Sequence, residues 1–129
     1  MDKKSDQQRY STNWVVRFLC DCKNLNKEIN IHKGIAQEIS THGMRILSDH
    51  QICDQKLIAM QLMIPSLLNN APFKIVKIIG NSINTIKKEG KFQTEIEFKH
   101  FEENGMKELE KNLFQLFKQP FFSQTAQHA

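Results

Sequence analysis

The sequence predicts a mainly β protein: a six-stranded antiparallel barrel with one C-terminal α-helix. Short segments with strand-like patterns recur at a spacing of roughly ten residues. Polar, glycine- or proline-containing stretches separate them. The pattern changes to a helical period near the C-terminus. With 129 residues and 40% hydrophobic composition, the chain is expected to form one domain with a core of its own.

The first three strands are predicted in the N-terminal half. In NWVVRFLCDC, Trp14, Val16 and Phe18 share one face, while Arg17 lies on the other. The polar segment KNLNKE indicates a turn, and EINIHKGIAQEIS forms a second extended stretch in which Gly34 suggests a bulge or a bend. GMRILS is short and forms the third strand.

The next three strands follow a less uniform pattern. KLIAMQLMIP is apolar on both faces, so it is either a well-buried strand or a short helix that ends at Pro65. Pro72 lies in a loop, because proline cannot occupy a central strand. The last two strands are FKIVKIIGNSI and KFQTEIEFKHF, joined by the turn KKEG.

Met106, Leu109 and Leu113 fall at helical spacing and predict a helix from about Glu103 to Lys118. Residues 1–12 are polar and are predicted to form a flexible N-terminal arm, residues 13–118 the barrel and helix, and residues 119–129 a mobile tail. The predicted core consists of Trp14, Phe18, Ile39, Ile46, Val76, Ile96, Phe98, Leu109 and Leu113.

Composition limits the classes of function. The net charge of +4 falls short of a nucleic-acid-binding signature, so no DNA or RNA partner is expected. The lysine-rich stretch from Phe73 to Lys91 is either a solvated face or an electropositive side that attracts an anionic ligand. No apolar run is long enough for membrane insertion and no secretory signal is present, so a cytoplasmic protein is expected. Cys20, Cys22 and Cys53 are expected to be reduced, with no metal and no cofactor.

Motifs of catalysis do not stand out. The sequence has no phosphate loop of the Walker type and no Gly-x-Ser-x-Gly elbow, and its histidines are scattered. We therefore expect a protein that is not an enzyme.

The segment EISTHGM is the strongest local signal. Glu38 and Ser40 are two residues apart, so on an extended backbone both project to one side. A carboxylate can accept guanine N–H donors, a hydroxyl can hold a phosphate oxygen, and Gly43 permits a close backbone approach. The structural alternative is that Ser40 and Thr41 form a hydroxyl-stabilised turn with Gly43 as its glycine.

In its order of elements, from about Arg9 to Phe117, the chain resembles the PilZ domain family of bacterial cyclic di-GMP receptors. EISTHG is similar to the family's Asp/Asn-x-Ser-x-x-Gly motif, with Glu38 at the acidic position. FKIVKIIG and TEIEF resemble its later strands, with Glu95 where the family usually has glycine. RYSTN stands at the place of the family's Arg-x-x-x-Arg motif.

The resemblance implies a function and a set of site residues. It implies a non-enzymatic signalling domain that binds cyclic di-GMP between the N-terminal arm and the Glu38–Gly43 turn. The implied ligand-binding residues are Arg9, Asn13, Glu38, Ser40 and Gly43.

Arg9 matches the first arginine of the motif, and Asn13 replaces the second. Losing one stacked, charge-assisted contact costs roughly 2–4 kcal/mol, so binding is expected to be weak. The alternative is a degenerate PilZ adaptor that does not bind cyclic di-GMP and acts on an unidentified protein partner in pilus or flagellar motility.

Overall fold

The computed structural model describes residues 9–20, 31–65 and 73–114. Six antiparallel strands close into a barrel in the order β1-β2-β3-β6-β5-β4. Their bounds are β1 Tyr10–Leu19, β2 Ile31–Ile39, β3 Gly43–Ser48, β4 Leu57–Ile64, β5 Lys74–Lys88 and β6 Lys91–Phe101. One helix follows over residues 105–114. The predicted fold class is confirmed.

Barrel closure depends on two pairings between strands that are distant in sequence. β3 pairs with β6 over its whole length, from Gly43 opposite Glu97 to Ser48 opposite Phe92. β1 pairs with β4 around Val16 and Leu62. Because every strand has a neighbour on both sides, closure satisfies backbone groups that an open sheet would leave at its edges.

Most strands lie where the sequence predicts them. The segment with two possible assignments is a strand, β4, and its inner face is fully buried. β5 runs on to Lys88, so the following turn is shorter than the predicted KKEG and consists of Glu89 and Gly90.

The predicted N-terminal arm is too long, because β1 begins at Tyr10. Residues 10–12 belong to the barrel: Tyr10 pairs with Ile39 and Ser11 pairs with Glu38. Residues 10–12 are polar and lack the apolar alternation of a strand, so the sequence did not predict one here. They are in β1 because they pair with β2. The rest of the predicted arm, residues 1–8, and the predicted tail, residues 119–129, lie outside the described residues.

Gly34 does not mark a bulge. The irregularities in these ladders fall between Ser11 and Trp14 in β1 and between Ala36 and Glu38 in β2. Gly34 is instead a site of close approach, since a Cβ atom there would lie 2.8 Å from Cγ2 of Ile46.

The core predicted from the sequence is buried, with one side chain at its boundary. Phe98 is partly buried and packs against the cluster; the other eight predicted residues are buried within it. The cluster further includes Val16, Cys20, Ala36, Met44, Ile52, Ile58, Met60, Leu62, Ile64 and Ile78.

The helix packs on the barrel through Leu109 and Leu113, which are 0% and 2% exposed. Lys74 of β5 and Glu108 form an ion pair at 2.8 Å, and the hydrogen bond from Lys74 lowers the pKa of that carboxyl group. Residues 115–118 of the predicted helix lie outside the described part of the chain.

The expectation of three reduced cysteines is wrong for Cys53, which is disulfide-bonded. Cys20 is a free, buried thiol, and Cys22 lies outside the described residues. Across the described residues, no helix is long and apolar enough to cross a membrane.

Replacing Leu109 with alanine tests whether the helix stabilises the barrel. The side chain is fully buried, so we expect Leu109→Ala to lower the free energy of unfolding by about 2–5 kcal/mol in urea denaturation. Lys107→Ala, an exposed position of the same helix, is the control and should change it by less than about 0.5 kcal/mol. Equal effects of the two substitutions would show that the helix is not packed.

Candidate functional site

The pairing of β1 with β2 brings the start of the first strand to the end of the second. Tyr10 lies opposite Ile39, and Arg9 directly precedes this pair. Nη1 of Arg9 lies 3.9 Å from Oε1 of Glu38. Two segments that the resemblance identifies as its motifs therefore meet at one corner of the barrel.

Residues 40–43 form a tight turn built around the hydroxyl of Ser40. Its Oγ accepts hydrogen bonds from the backbone N–H groups of His42, at 3.0 Å, and Gly43, at 3.2 Å. The backbone N–H of Ser40 donates to the carbonyl of Gly43 at 2.9 Å. These hydrogen bonds form the hydroxyl-stabilised turn that the sequence left as an alternative, through Ser40, which is 1% exposed; the hydroxyl of Thr41 lies instead 3.3 Å from Nδ1 of His42.

Gly43 is required by the contact between β3 and β6. A Cβ atom at this position would lie 2.3 Å from the backbone oxygen of Ile96. His42, the residue before Gly43, also contacts β6: its carbonyl accepts a hydrogen bond from the N–H of Phe98 at 2.8 Å. The glycine of the motif thus allows the turn to lie directly against β6.

Four charged side chains form a cluster beside the turn, which we call the Arg–Glu quartet: Arg9, Glu38, Arg45 and Glu95. Nε of Arg45 donates to Oε2 of Glu95 at 2.7 Å, and Nη1 of Arg45 lies 3.5 Å from Oε2 of Glu38. Nη2 of Arg9 lies 3.3 Å from Oε1 of Glu95. Each arginine therefore contacts both carboxylates.

The quartet follows from the register of the barrel. Glu38 lies opposite Arg45, and Arg45 lies opposite Glu95, so three of its members stand in one row across β2, β3 and β6. The hydrogen bond to Glu95 raises the pKa of Arg45, against the effect of partial burial, and the negative charges of Glu95 and Glu38 act in the same direction. The guanidinium group of Arg45 remains charged at any physiological pH.

Asn13 occupies an irregular position in β1. Its φ is 53°, and it lies in the bulge between Ser11 and Trp14, with the side chain exposed. Asparagine enters this left-handed region more readily than most residues. Asn13, which replaces the second arginine of the motif, is thus a residue type that tolerates this positive φ.

Arg9, Glu38, Ser40 and Gly43 meet at this corner, while Asn13 lies in the bulge four residues after Arg9. Sequence reasoning missed Arg45 and treated Glu95 as a departure from a family pattern. One signal was available for Arg45: it is a charged residue at an outward position of a short apolar strand that begins at the turn glycine.

The quartet carries no net charge but offers both kinds of recognition group. Its guanidinium groups can bind phosphate, and its carboxylates can accept the N–H donors of a guanine edge. All four side chains are 28–37% exposed, so a ligand can reach them. Among the described residues, no group of three or more acidic, histidine or cysteine side chains is arranged to hold a metal ion.

No protein-family model matches the sequence, and no curated protein matches it. Solved structures do match the fold. The Bacillus subtilis inhibitor of motility MotI/DgrA is 8% identical over 87% of this chain and 51% of its own, with a TM-score of 0.63.

Two further matches are structures with cyclic di-GMP. YcgR from Escherichia coli is 9% identical over 93% of this chain and 49% of its own, with a TM-score of 0.65. MrkH from K. pneumonia is 12% identical over 91% and 54%, with a TM-score of 0.58.

These matched structures are PilZ-domain proteins, so the fold of this chain is PilZ-like, as the sequence resemblance implied. This chain spans about half the length of each of these three proteins.

Replacing Gly43 with alanine tests the contact between the turn and β6. The new Cβ would meet a backbone oxygen that cannot rotate away, so we expect a loss of roughly 1–3 kcal/mol in unfolding free energy. Thr41→Ala, in the same turn, removes a partly exposed side chain and should cost less than about 0.5 kcal/mol. A Gly43→Ala protein as stable as wild type would disprove the close approach.

Proposed function

We propose that this chain is a non-enzymatic PilZ-like signalling domain that binds cyclic di-GMP weakly, between the chain around Arg9 and the Glu38–Gly43 turn. The observation that carries the proposal is the distance of 3.9 Å between Arg9 and Glu38, which come from the two segments that resemble the family's ligand motifs. The complexes of YcgR and MrkH with cyclic di-GMP support the choice of ligand.

In the proposed mode of binding, the two arginines of the quartet take the phosphates and a carboxylate takes a guanine edge. Arg9 and Arg45 offer planar, permanently charged groups that form paired hydrogen bonds with phosphate oxygens. Glu38 accepts the N–H donors of guanine. Ser40 and Gly43 act by holding the turn in place, since the hydroxyl of Ser40 is already used within it.

Binding is weak for two physical reasons. The phosphates compete with Glu38 and Glu95, which already neutralise both arginines. Asn13 supplies neither the charge nor the stacking surface of an arginine, and that absence costs roughly 2–4 kcal/mol.

A second candidate function rests on the same contacts. If the carboxylates hold the arginines permanently, the corner is a closed salt-bridge network and the chain is a PilZ-like adaptor that acts through a protein partner. The buried hydroxyl of Ser40 and the 2.7 Å contact between Arg45 and Glu95 favour this candidate.

Removing one carboxylate charge separates the two candidates. Glu95→Gln keeps the size of the side chain and frees both arginines from one competitor, so we expect its affinity for cyclic di-GMP to rise by about 10-fold, or roughly 1.4 kcal/mol, in calorimetric titration. Glu97→Gln is the matched control, because Glu97 lies two residues along β6 and pairs with Lys99. An unchanged affinity in Glu95→Gln contradicts competition by that carboxylate.

Substitutions at the first motif test the site directly. Arg9→Ala should remove measurable binding, and Asn13→Arg should strengthen it, although the φ of 53° costs an arginine about 1 kcal/mol of backbone strain. Asn13→Gly is the control, since it relieves strain without adding charge. The gain in Asn13→Arg should shrink at high salt.

The outcomes of these titrations are distinct. Binding by wild type at micromolar to millimolar ligand, lost in Arg9→Ala, supports the receptor. If neither wild type nor Asn13→Arg gives heat at millimolar ligand, the receptor proposal is wrong and the adaptor remains.

A further inference from the structure

A row of three basic side chains and one glutamine crosses the outer face of four strands. Lys33 of β2 lies opposite Arg17 of β1, Arg17 lies opposite Gln61 of β4, and Gln61 lies opposite Lys77 of β5. We call these four residues the basic band. Their neighbours along each strand point into the core, so all four side chains point outward.

The charges of the basic band are not neutralised within the described part of the chain. No described carboxylate forms an ion pair with Arg17, Lys33 or Lys77, and all three side chains are exposed. This distinguishes the band from the quartet, in which each arginine has two carboxylate partners. Within the residues that the structure describes, the band therefore carries three positive charges without a paired carboxylate.

Aliphatic side chains flank the basic band on both sides. On one side, Leu19 lies opposite Ile31, and Ala59 lies opposite Ile79; Leu19 is 42% exposed and Ile31 is 60% exposed. The row on the other side consists of Val15, Ile35, Met63 and Ile75, with Ile75 51% exposed. Each row lies about 7 Å from the band, the rise of two residues along a strand.

This face is concave at the junction of β1, β4 and β5. A cavity of about 240 Å³ lies there, with Arg17 and Lys77 among its lining residues. Leu19, Ile31, Ala59 and Ile79 supply apolar walls. Of the lining residues that the structure describes, Glu102 alone is acidic. The cavity thus combines an apolar space with two cations.

We propose that this face is a docking surface for a peptide segment of a partner protein, one that carries acidic residues around an apolar anchor side chain. The anchor fills the cavity, and the carboxylates lie on the basic band. This arrangement matches how interfaces concentrate affinity in a buried anchor and obtain specificity from complementary charges around it. The inference does not rest on the binding of cyclic di-GMP.

A protein segment fits this face better than a membrane surface does. Lipid-binding basic patches have about 4–8 cations next to the membrane, whereas the band has three spread across four strands. A lipid headgroup layer does not fill a concave site between strands, while a single side chain does. The band spans about 14 Å from β2 to β5, which is small for an interface and indicates a transient complex.

A selection experiment tests the proposal without knowledge of the partner. A random library of 12-residue peptides displayed on phage is selected on the 129-residue chain. We expect the enriched peptides to contain at least two acidic residues near one aromatic or long aliphatic residue. Their affinity should fall at least tenfold for the double variant Arg17→Glu with Lys77→Glu.

Matched variants and probes decide the outcome. Lys88→Glu reverses an exposed charge at the far end of β5 and should leave peptide affinity unchanged. Ala59→Trp fills the cavity from an exposed position and should weaken binding without reversing a charge. Thermal unfolding of each variant checks that its barrel is folded.

Three results would overturn the proposal. One is enrichment of peptides without acidic residues, and another is equal binding to wild type and the Arg17/Lys77 variant. The third is Arg17-dependent binding to vesicles with 30% phosphatidylserine when no peptide is enriched, which would assign the face to a membrane.

Discussion

The pairing of β3 with β6 is the contact on which the candidate site depends. It joins strands about 50 residues apart, and it closes the barrel on one side of the turn. It requires glycine at position 43, because any Cβ would collide with the backbone of Ile96. Once this register is set, Arg45 lies opposite Glu95, and the carbonyl of His42 is held by Phe98.

The Arg–Glu quartet contributes little to the stability of this barrel. Its members are about one third exposed, and ion pairs of that kind are worth roughly 0–1 kcal/mol each because water and salt screen them. The buried aliphatic cluster stabilises the fold instead. The effect of the quartet is to hold its four side chains in place and to neutralise the two arginines at this corner.

The barrel presents two surfaces that differ in net charge: the Arg–Glu quartet is neutral and the basic band is positive. At one corner, positive and negative side chains cancel within a few ångströms. On the outer face of β2, β1, β4 and β5, three cations have no described acidic partner. Both surfaces include β1, at Arg9 just before the strand and at Arg17 eight residues later, a distance of about 27 Å along an extended chain.

The sequence by itself determined the elements of this fold. Alternation of apolar and polar residues predicted the strands, and the bounds of β3 and β6 agree with the prediction. Apolar residues at helical spacing predicted the packed helix. These signals are local, because the period of apolar residues within one segment indicates which of its faces is buried.

Tertiary structure decided the composition of the site. The sequence placed Arg9 and Glu38 in motifs. It could not show that Arg45 and Glu95 contact these two residues and each other. Those contacts depend on the register of strands distant in sequence, which bulges and barrel closure set. The sequence also could not show the positive φ of Asn13, the strand from Tyr10 to Thr12 or the disulfide at Cys53. The strand start at Tyr10 and the bulge at Asn13 depend on the pairing of β1 with β2, between residues more than 20 positions apart, which local patterns do not encode.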